Sequence, residues 1–407
     1  MFGTARIVKL RPMAIAIVAP LMIGLTVQAL GGSPADAANK QVEQAQAAAR
    51  ETVAQRSGSA TLTFAGAPVG QSASGKTGLT PGVATFAPAR PGRTVLIQAQ
   101  YADGWRTVVR TVQDNAGQAS FNVVATDKGE PLTFRAVTTH NGFERGVASA
   151  TAKATALPIL WKDEFTGSGK LSARWIHRQV GERVKPRRLC SEVRTQNARK
   201  KGGAAVLEVR KLGGKPKKSC KKYGEYTNAM VAASNPADHL KYGMAAARIK
   251  FQSNRGQHSA FWLQVPDGQV SANPPSTGVE IDIAEYFGDG RGKGGLASYV
   301  HWLDKRKKDV SIGGEGEVYK KTKKLLPRNK EWSDGWHVYS VEWTPSRYIF
   351  RVDGHVTLTT KRGISNSPEM VVLSALSSDW ETPAMNARRF PTTTKYDWVR
   401  VWANPAY

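Results

Sequence analysis

Most of the chain beyond residue 58 consists of short runs in which apolar and polar residues alternate. Thr94-Val-Leu-Ile-Gln-Ala-Gln-Tyr101 and Ala119-Ser-Phe-Asn-Val-Val124 are two such runs, and Gly, Pro, Asp and Asn separate them from their neighbours. A period of two places successive side chains on opposite faces of a strand, whereas a helix needs a period near 3.6. The sequence therefore predicts an all-β protein whose sheets stack as sandwiches.

Two sandwiches are expected, because 407 residues exceed the usual length of one domain. Residues 58–155 carry strands separated by turns at Asp103-Gly104 and Asn115-Ala-Gly117, a spacing typical of a small immunoglobulin- or fibronectin-like β-sandwich. Ala154-Thr-Ala-Leu-Pro158 marks a boundary, and residues 158–407 form the larger sandwich. We interpret the small module as a spacer, with weak carbohydrate binding as the alternative.

The start of the chain has the pattern of an export signal. Three basic residues precede an apolar stretch from Met13 to Leu25, and Ala35-Asp-Ala37 ends in a small-x-small cleavage pattern. We expect residues 1–37 to be a signal peptide, residues 38–57 to be a linker, and the mature protein to be secreted, extracellular and free of the membrane. A retained membrane anchor is the alternative, but Pro20 interrupts the apolar stretch.

Cys190 and Cys220 are the two cysteines of the chain. In an exported protein, such a pair favours a disulfide over a metal site. Two free buried thiols are the alternative, because a sequence does not show whether the two Cα atoms approach one another.

The formal net charge of +26 bears on partners rather than on the fold. Most of the basic clusters fall between residues 183 and 330, where they suit an anionic cell-wall or extracellular polymer. A solvated lysine-rich surface without a dedicated partner is the alternative. No nucleic acid is expected as a partner, since no helix-turn-helix, zinc-finger or aromatic RNA-binding signature accompanies the charge.

Three carboxylates alternate with aliphatic residues in the run at residues 278–287. In a regular strand, Glu280 and Asp282 share one face, while Glu285 is out of phase by one residue. A β-bulge at Ile283-Ala284 brings Glu285 to the face of the other two. The run therefore predicts three acids on one surface.

Three neighbouring carboxylates raise one another's pKa, because like charges disfavour ionisation. Cleavage of a glycosidic bond with retention uses such acids, one ionised as the nucleophile and one protonated as the proton donor. A solvated strand is the alternative, but acids on a wet face are usually balanced by nearby lysines. Residues 268–290 contain no lysine or arginine, which favours the catalytic interpretation.

Further motifs follow in order along the larger sandwich: Trp161-Lys-Asp-Glu-Phe165, Ala260-Phe-Trp-Leu263, Val341-Glu-Trp-Thr-Pro345 and Tyr396-Asp-Trp-Val-Arg-Val-Trp402. Together with Glu280-Ile-Asp-Ile-Ala-Glu285, they resemble glycoside hydrolase family 16, in the laminarinase-like branch whose motif is Glu-x-Asp-x-x-Glu. The resemblance covers most of residues 160–402.

The resemblance implies a β-jelly-roll catalytic domain with a concave cleft and a retaining double displacement on internal β-linkages. It assigns Glu280 as the nucleophile, Glu285 as the general acid/base and Asp282 as the auxiliary acid. It calls for no redox cofactor, and we expect no metal ion in the reaction.

Three side chains beside the run are predicted to bind sugar: Trp262, His301 and Trp302. The apolar face of a pyranose ring stacks on an indole, and the resemblance places a histidine at His301, where it can bond to substrate or to Glu285. The default polysaccharide substrate is a β-1,3-glucan or β-1,3/1,4-glucan. Hydrolysis or transglycosylation of an anionic galactan or cell-wall glycan is one alternative, and a non-catalytic glycan-binding wall protein is another.

Overall fold

The computed structural model describes residues 40–44, 58–72, 76–140, 145–183, 187–266, 277–304, 306 and 308–407. The predicted signal peptide and most of the predicted linker lie outside these residues. The chain divides into two compact units, Met1–Arg56 and Ser57–Tyr407. Residues 40–44 of the first unit are helical, and all further elements belong to the second. None of the helices described has the length and apolar character needed to cross a membrane.

The first strands of the second unit are short and alternate in burial, as their sequences predict. They are β1 (Ser59–Phe64), β2 (Thr80–Ala87), β3 (Thr94–Tyr101), β4 (Gly104–Val112), β5 (Gln118–Val123), β6 (Thr126–Asp127), β7 (Glu130–Pro131), β8 (Thr133–Thr138) and β9 (Ala152–Lys153).

These strands form two main sheets, ordered β1-β2-β5 and β4-β3-β8-β9, and a small β6-β7 hairpin. Alternate side chains of both sheets meet in one apolar core that contains Phe86, Ile97, Phe121 and Phe134. We call this part of the chain the small module. Its likeness to an immunoglobulin domain stays a prediction.

The remaining elements follow from residue 159 onward, and most of the longer strands among them are deeply buried. They are β10 (Ile159–Asp163), β11 (Trp175–His177), β12 (Ser191–Val193), β13 (Ala198–Lys201), β14 (Ala204–Lys211), β15 (Tyr226–Ala233), β16 (Gly243–Lys250), β17 (Gln257–Gln264), β18 (Glu280–Tyr286), β19 (Leu296–Leu303), β20 (Asp309–Gly313), α1 (Glu315–Thr322), β21 (His337–Thr344), β22 (Arg347–Val352), β23 (His355–Thr360), β24 (Met370–Ser377) and β25 (Thr392–Ala403).

Two stacked layers arise from these strands. The site sheet has the order β20-β19-β18-β17-β24-β15-β11, and the back sheet has the order β14-β25-β16-β21-β22-β23. The layers are continuous, because β14 pairs with β15 at Arg210 and Lys211. Between them lies one core, to which Phe261, Ile281 and Leu373 of the site sheet and Tyr339, Phe350 and Val399 of the back sheet contribute. The predicted all-β fold with a jelly-roll sandwich is confirmed.

The outer face of the back sheet is also buried, beneath the small module. Ala67 and Val69 pack there against an apolar patch of Met244, Ala246, Val338, Trp398 and Trp402. Polar contacts flank the patch: Asn122 Nδ2 donates to the carbonyl of Asp353 at 3.2 Å, and Lys76 Nζ donates to the carbonyl of Asp397 at 3.0 Å. The small module therefore covers the side of the larger sandwich that is remote from the outer face of the site sheet.

Cys190 and Cys220 form a disulfide with their Cα atoms 5.4 Å apart, which confirms the predicted pairing. The bond ties the loop before β12 to the lysine-rich segment between β14 and β15.

Candidate active site

The strand that carries the three acids has the bulge that its sequence predicts. Phe261 and Trp262 are neighbours on β17, yet they pair with Ala284 and Asp282, so that Ile283 is an extra residue on β18. The pairing of β18 with β19 shifts over the same interval. An inserted residue reverses the phase of every side chain after it.

The bulge brings the three carboxylates to one face. Ile281 and Ile283 point into the core, with 0% and 2% of their surface exposed. Glu280, Asp282 and Glu285 are turned the other way, to the outer face of the site sheet, which we call the acid face. The predicted grouping of three acids is therefore present in the structure.

Glu280 is connected to a cation through an amide. Gln264 Nε2 donates to Glu280 Oε2 at 3.1 Å, and Arg178 Nη1 donates to Gln264 Oε1 at 2.8 Å. Burial raises the pKa of Glu280, His301 opposes this increase, and the charge of Glu285 adds to it. Gln264 thus holds the carboxyl group in place, while burial and His301 act on its pKa in opposite directions.

Asp282 is the most deeply buried of the three acids, with 3% of its surface exposed. Its Oδ2 has no hydrogen-bond partner within the described residues, and His301 Nε2 lies 3.5 Å from it. Burial, followed by the charges of Glu285 and Glu280, raises the pKa of Asp282 well above its ordinary value. This environment favours the protonated form of Asp282.

Glu285 pairs with a histidine that the sequence analysis did not single out. His258 Nε2 lies 2.5 Å from Glu285 Oε1, and 8% of the surface of Glu285 is exposed. The His258 ring stacks on Phe287 with 4.6 Å between ring centroids, while the guanidinium of Arg291 also lies over Phe287. The stacked ring fixes the imidazole beside the carboxyl group.

Trp262 lies on the acid face, as predicted, and is partly exposed. One side of its ring packs on an apolar cluster formed by Val193, Met230, Ala232, Met370, Val372 and Leu376. Its Nε1 donates to Ser374 Oγ at 3.3 Å. An indole fixed beside three carboxylates provides a flat apolar surface of the kind on which sugar rings stack.

The two residues of β19 that were predicted to bind sugar, His301 and Trp302, lie on opposite faces of the strand. His301 lies on the acid face opposite Glu280, where its ring nitrogens approach Asp282 and Asp309 rather than Glu285. The prediction for Trp302 is wrong: its side chain belongs to the core and is only 9% exposed. Since neighbours on a strand face opposite ways, His301 and Trp302 cannot both line one surface.

Two further residues of this region were not singled out in the sequence analysis. Tyr299 lies beside Asp282 in the pairing of β18 with β19 and is partly exposed. Arg188, in the loop before β12, is partly exposed; burial and the charge of Arg187 lower the pKa of its guanidinium, and the charges of Glu280, Asp379 and Glu285 oppose this. Tyr299 is in phase with His301 on β19, so strand phase could have identified it. The position of Arg188 depends on the path of its loop, which the sequence pattern does not show.

Glu280, Asp282 and His301 also present ligand atoms within 4.8 Å of one another. Such a group can ligate a divalent cation, and it would do so with two of the carboxylates described above. Acid catalysis at a glycosidic bond by a pair of carboxyl groups needs no ion.

The similarity of this chain to known proteins lies in the larger sandwich. The family model described as Glycosyl hydrolases family 16 matches residues 190–400. A Beta-glucanase of Rhodothermus marinus is 26% identical over 61% of this chain and 86% of its own length. A Glucan endo-1,3-beta-glucosidase A1 of Niallia circulans is 23% identical over 60% of this chain but only 37% of its own length.

A solved structure with similarity to this one is the laminarinase catalytic domain from Thermotoga maritima MSB8. The TM-score is 0.47 at 20% identity, and the match covers 61% of this chain and 98% of the other.

Proposed function

The chain belongs to glycosyl hydrolase family 16, and from this premise we propose that it cleaves internal β-glycosidic bonds of a β-1,3-glucan or β-1,3/1,4-glucan with retention of configuration. The observation that supports this most is the bulge in β18, which gathers Glu280, Asp282 and Glu285 on the acid face. The names of the Rhodothermus and Niallia relatives support the choice of a β-glucan.

In this proposal Glu280 attacks the anomeric carbon and forms a glycosyl-enzyme, while Glu285 protonates the departing oxygen. Glu285 then removes a proton from water, which attacks the same carbon and releases the sugar. Two inversions at one carbon give net retention. Transfer to a sugar acceptor instead of water shares the first step, so transglycosylation is a variant of the same chemistry.

The neighbours of the acids fit these roles. Asp282, whose buried environment favours its protonated form, can hold a proton that Glu280 must give up to act as a nucleophile. The amide of Gln264 holds one oxygen of Glu280, which leaves the other available for attack. His258 orients Glu285 through their short contact, and Trp262 provides the surface on which a sugar ring stacks.

Secretion is part of the same proposal. Its support is the export-signal pattern of residues 1–37, together with a disulfide between Cys190 and Cys220, a bond that persists in oxidising compartments.

Following the first product by proton NMR tests the proposed function. Laminarin is the substrate, and we expect new reducing ends in the β-anomeric form that appear before mutarotation, together with oligosaccharides of several lengths. Glu280→Gln serves as the control and releases none. Initial α-anomers indicate inversion and contradict the mechanism, and the absence of products from every β-glucan tested favours the non-catalytic alternative.

A further inference from the structure

A stack of side chains lies against the proposed proton donor. The imidazole of His258, whose Nε2 is 2.5 Å from Glu285 Oε1, is nearly parallel to the ring of Phe287, with 18° between the ring planes and 4.6 Å between the centroids. The guanidinium of Arg291 lies over the same phenyl ring, 4.9 Å from its centroid. A continuous line of contacts therefore leads from Arg291 to the carboxyl group of Glu285.

The backbone beneath this stack is held on both sides. The amide of Phe287 donates to the carbonyl of Gly295 at 3.0 Å, and its carbonyl accepts from the amide of Gly256 at 3.3 Å. The next residue, Gly288, has a φ of +88°, and a Cβ atom there would overlap the carbonyl oxygen of Asn254. The loop after β18 is thus packed closely against the loop before β17, and the phenyl ring has a fixed origin.

Two acids from distant parts of the chain hold Arg291. Its Nε forms an ion pair at 2.6 Å with Glu315 Oε1 at the start of α1, and its Nη1 donates at 3.3 Å to Glu381 Oε1 in the loop after β24. Glu381 is only 4% exposed. Burial raises the pKa of Glu381, and the charges of His258 and Arg291 oppose this increase. A planar guanidinium can stack on a ring while its edge bonds to carboxylates, so the two acids fix it in place.

The proposed chemistry depends on where the carboxyl group of Glu285 points. A proton donor is effective only when its acidic oxygen is held at the departing oxygen. With its hydrogen on Nε2, His258 donates to Glu285 Oε1 and leaves Oε2 to carry the proton that is transferred. The χ2 torsion of a histidine has broad minima, so the imidazole needs a partner that keeps its ring plane. Phe287 provides that partner.

We propose that Arg291 and Phe287 are positioning residues that act on the proton donor through His258. The inference rests on the proposed function and adds the residues that align its acid. In the first step the proton of Glu285 moves to the departing oxygen, which keeps the electron pair of the broken bond to carbon. In the second step the carboxylate takes a proton from water. His258 retains its own hydrogen in both steps, and the two positioning residues touch neither substrate nor water.

Two substrates with different leaving groups isolate the proton transfer. A laminari-oligosaccharide expels a sugar hydroxyl group, which needs the proton, whereas a dinitrophenyl glycoside of laminaribiose expels a stable phenolate that needs none. For Arg291→Met and for Phe287→Leu in the full-length chain, we expect kcat/KM to fall by roughly ten- to hundredfold on the oligosaccharide and by less than about threefold on the dinitrophenyl glycoside. Phe287→Leu leaves both acids of Arg291 in place, so a lost charge does not account for its effect. Equal losses on the two substrates, or no loss on either, overturn the proposal.

Arg400→Met is the matched control. Arg400 also lies over an aromatic ring, 4.3 Å from the centroid of Trp398, and pairs with Glu164 at 2.8 Å. This stack belongs to the back sheet, where Trp398 is part of the apolar patch on the outer face. Arg400→Met should leave the ratio of the two kcat/KM values unchanged. A ratio that shifts as it does in Arg291→Met means that the loss of any stacked arginine has this effect, contrary to the proposal.

A double-variant cycle shows whether the effect passes through the imidazole. His258→Phe keeps an aromatic ring and removes both ring nitrogens. In that background, Arg291→Met should lower kcat/KM on the oligosaccharide by less than about threefold, because the group through which Arg291 acts is already gone. Losses that add fully in the double variant contradict a path through His258.

Nitrogen-15 NMR of the histidine rings gives a result that does not depend on activity. The chain has seven histidines, and the signals missing from His258→Phe identify the imidazole. We expect a wild-type Nε2 that carries hydrogen, and shifts averaged between the two tautomers in Arg291→Met and Phe287→Leu. If the wild type cleaves neither substrate, the catalytic proposal fails, and these shifts alone decide the role of the stack. Unchanged shifts in both variants, or a wild-type Nε2 without hydrogen, overturn the inference.

Discussion

His301 sets the charge balance of the proposed nucleophile. It lies opposite Glu280 on the neighbouring strand and is the largest influence that lowers the pKa of Glu280 against the effect of burial. The nucleophile acts only when ionised, so activity must fall as pH drops through the pKa of Glu280. Because that pKa is raised, the acidic limb of kcat/KM should lie above the ordinary pH range of a glutamate.

Replacing His301 by Gln removes the side chain that lowers the pKa of Glu280 against the effect of burial. The pKa of Glu280 should rise further, and the acidic limb of the kcat/KM profile should move to higher pH. The profile is measured on a β-1,3-glucan, with His355→Gln at the exposed first residue of β23 as the matched control. An unshifted limb in His301→Gln, or an equal shift in the control, contradicts the assigned influence.

Side-chain roles were predictable from the sequence where they followed from strand phase. The three acids and Trp262 lie where period-two patterning and one bulge place them. Trp302 was assigned to the surface although its neighbour His301 already occupied that face, so phase itself argues against the prediction. His258 was missed although strand phase places it on the face of Trp262, four residues earlier on β17. Arg188 was missed because the path of a loop is not encoded in local pattern.

At the level of elements, the bulge was the feature that the sequence specified best. Three acids with spacings of two and three residues can share one face of a strand only if an extra residue intervenes. The order of strands in the two layers was not predictable in the same way, because period two says which side chains are buried and not which strand lies alongside. The family resemblance, rather than the pattern, supplied the jelly-roll architecture.

A buried acid connects two elements at the beginning of β18. Glu369, just before β24, accepts a hydrogen bond from the amide of Val279 at 3.1 Å, and its backbone pairs with Leu240. Its side chain is fully buried, and its Oε2 has no hydrogen-bond partner within the residues described. Burial raises the pKa of Glu369 from 4.5 to about 8.

This pKa predicts a pH-dependent free energy of unfolding. Between about 4.5 and about 8 the unfolded chain releases the proton while the folded chain keeps it, so the stability contributed by the protonated form declines as pH rises. Glu369→Gln keeps an acceptor for Val279 and cannot ionise. Between pH 6 and pH 9 the free energy of unfolding of the wild type should therefore decrease by roughly 2 to 3 kcal/mol more than that of Glu369→Gln.

Urea unfolding across that pH range measures how the free energy of unfolding changes with pH in the wild type and in Glu369→Gln. The buried Asp282 contributes a dependence of the same sign to both proteins, so the difference between the slopes reports on Glu369 alone. Parallel slopes for wild type and Glu369→Gln mean that Glu369 ionises in the folded protein as easily as in water, contrary to this account.

Considered as a whole molecule, the larger sandwich has a covered face and a functional face. The small module buries Met244, Val338, Trp398 and Trp402 on the outside of the back sheet, while the acids occupy the outside of the site sheet. Nearly every residue of β16 is buried, and such continuous burial is typical of a strand covered on both faces. The sequence contained this signal, but it does not say what covers the second face.

Removing the small module should therefore expose an apolar patch. A chain that starts at residue 158 is expected to self-associate and to melt roughly 5 to 10 °C lower than a chain that starts at residue 58. Light scattering and thermal unfolding of the two chains measure this, and the longer chain is the control for loss of the N-terminal unit. A monomeric shorter chain with an unchanged melting temperature shows that the module is a spacer that contributes nothing to stability.

The central claim is that the bulge in β18 places Glu280 and Glu285 on one face. Glu280 is then the nucleophile that becomes covalently bound to the sugar. The most direct measurement is peptide mapping by mass spectrometry after reaction with a laminari-oligosaccharide that carries fluorine at C2 of its reducing-end sugar and an activated leaving group at C1. The fluorine slows both formation and breakdown of the intermediate, and the leaving group restores its formation, so that the intermediate accumulates. We predict one glycosyl adduct, on Glu280, that is absent from Glu280→Gln. An adduct on Glu285 or on another residue, or turnover of the substrate through an inverted product without any adduct, contradicts the account.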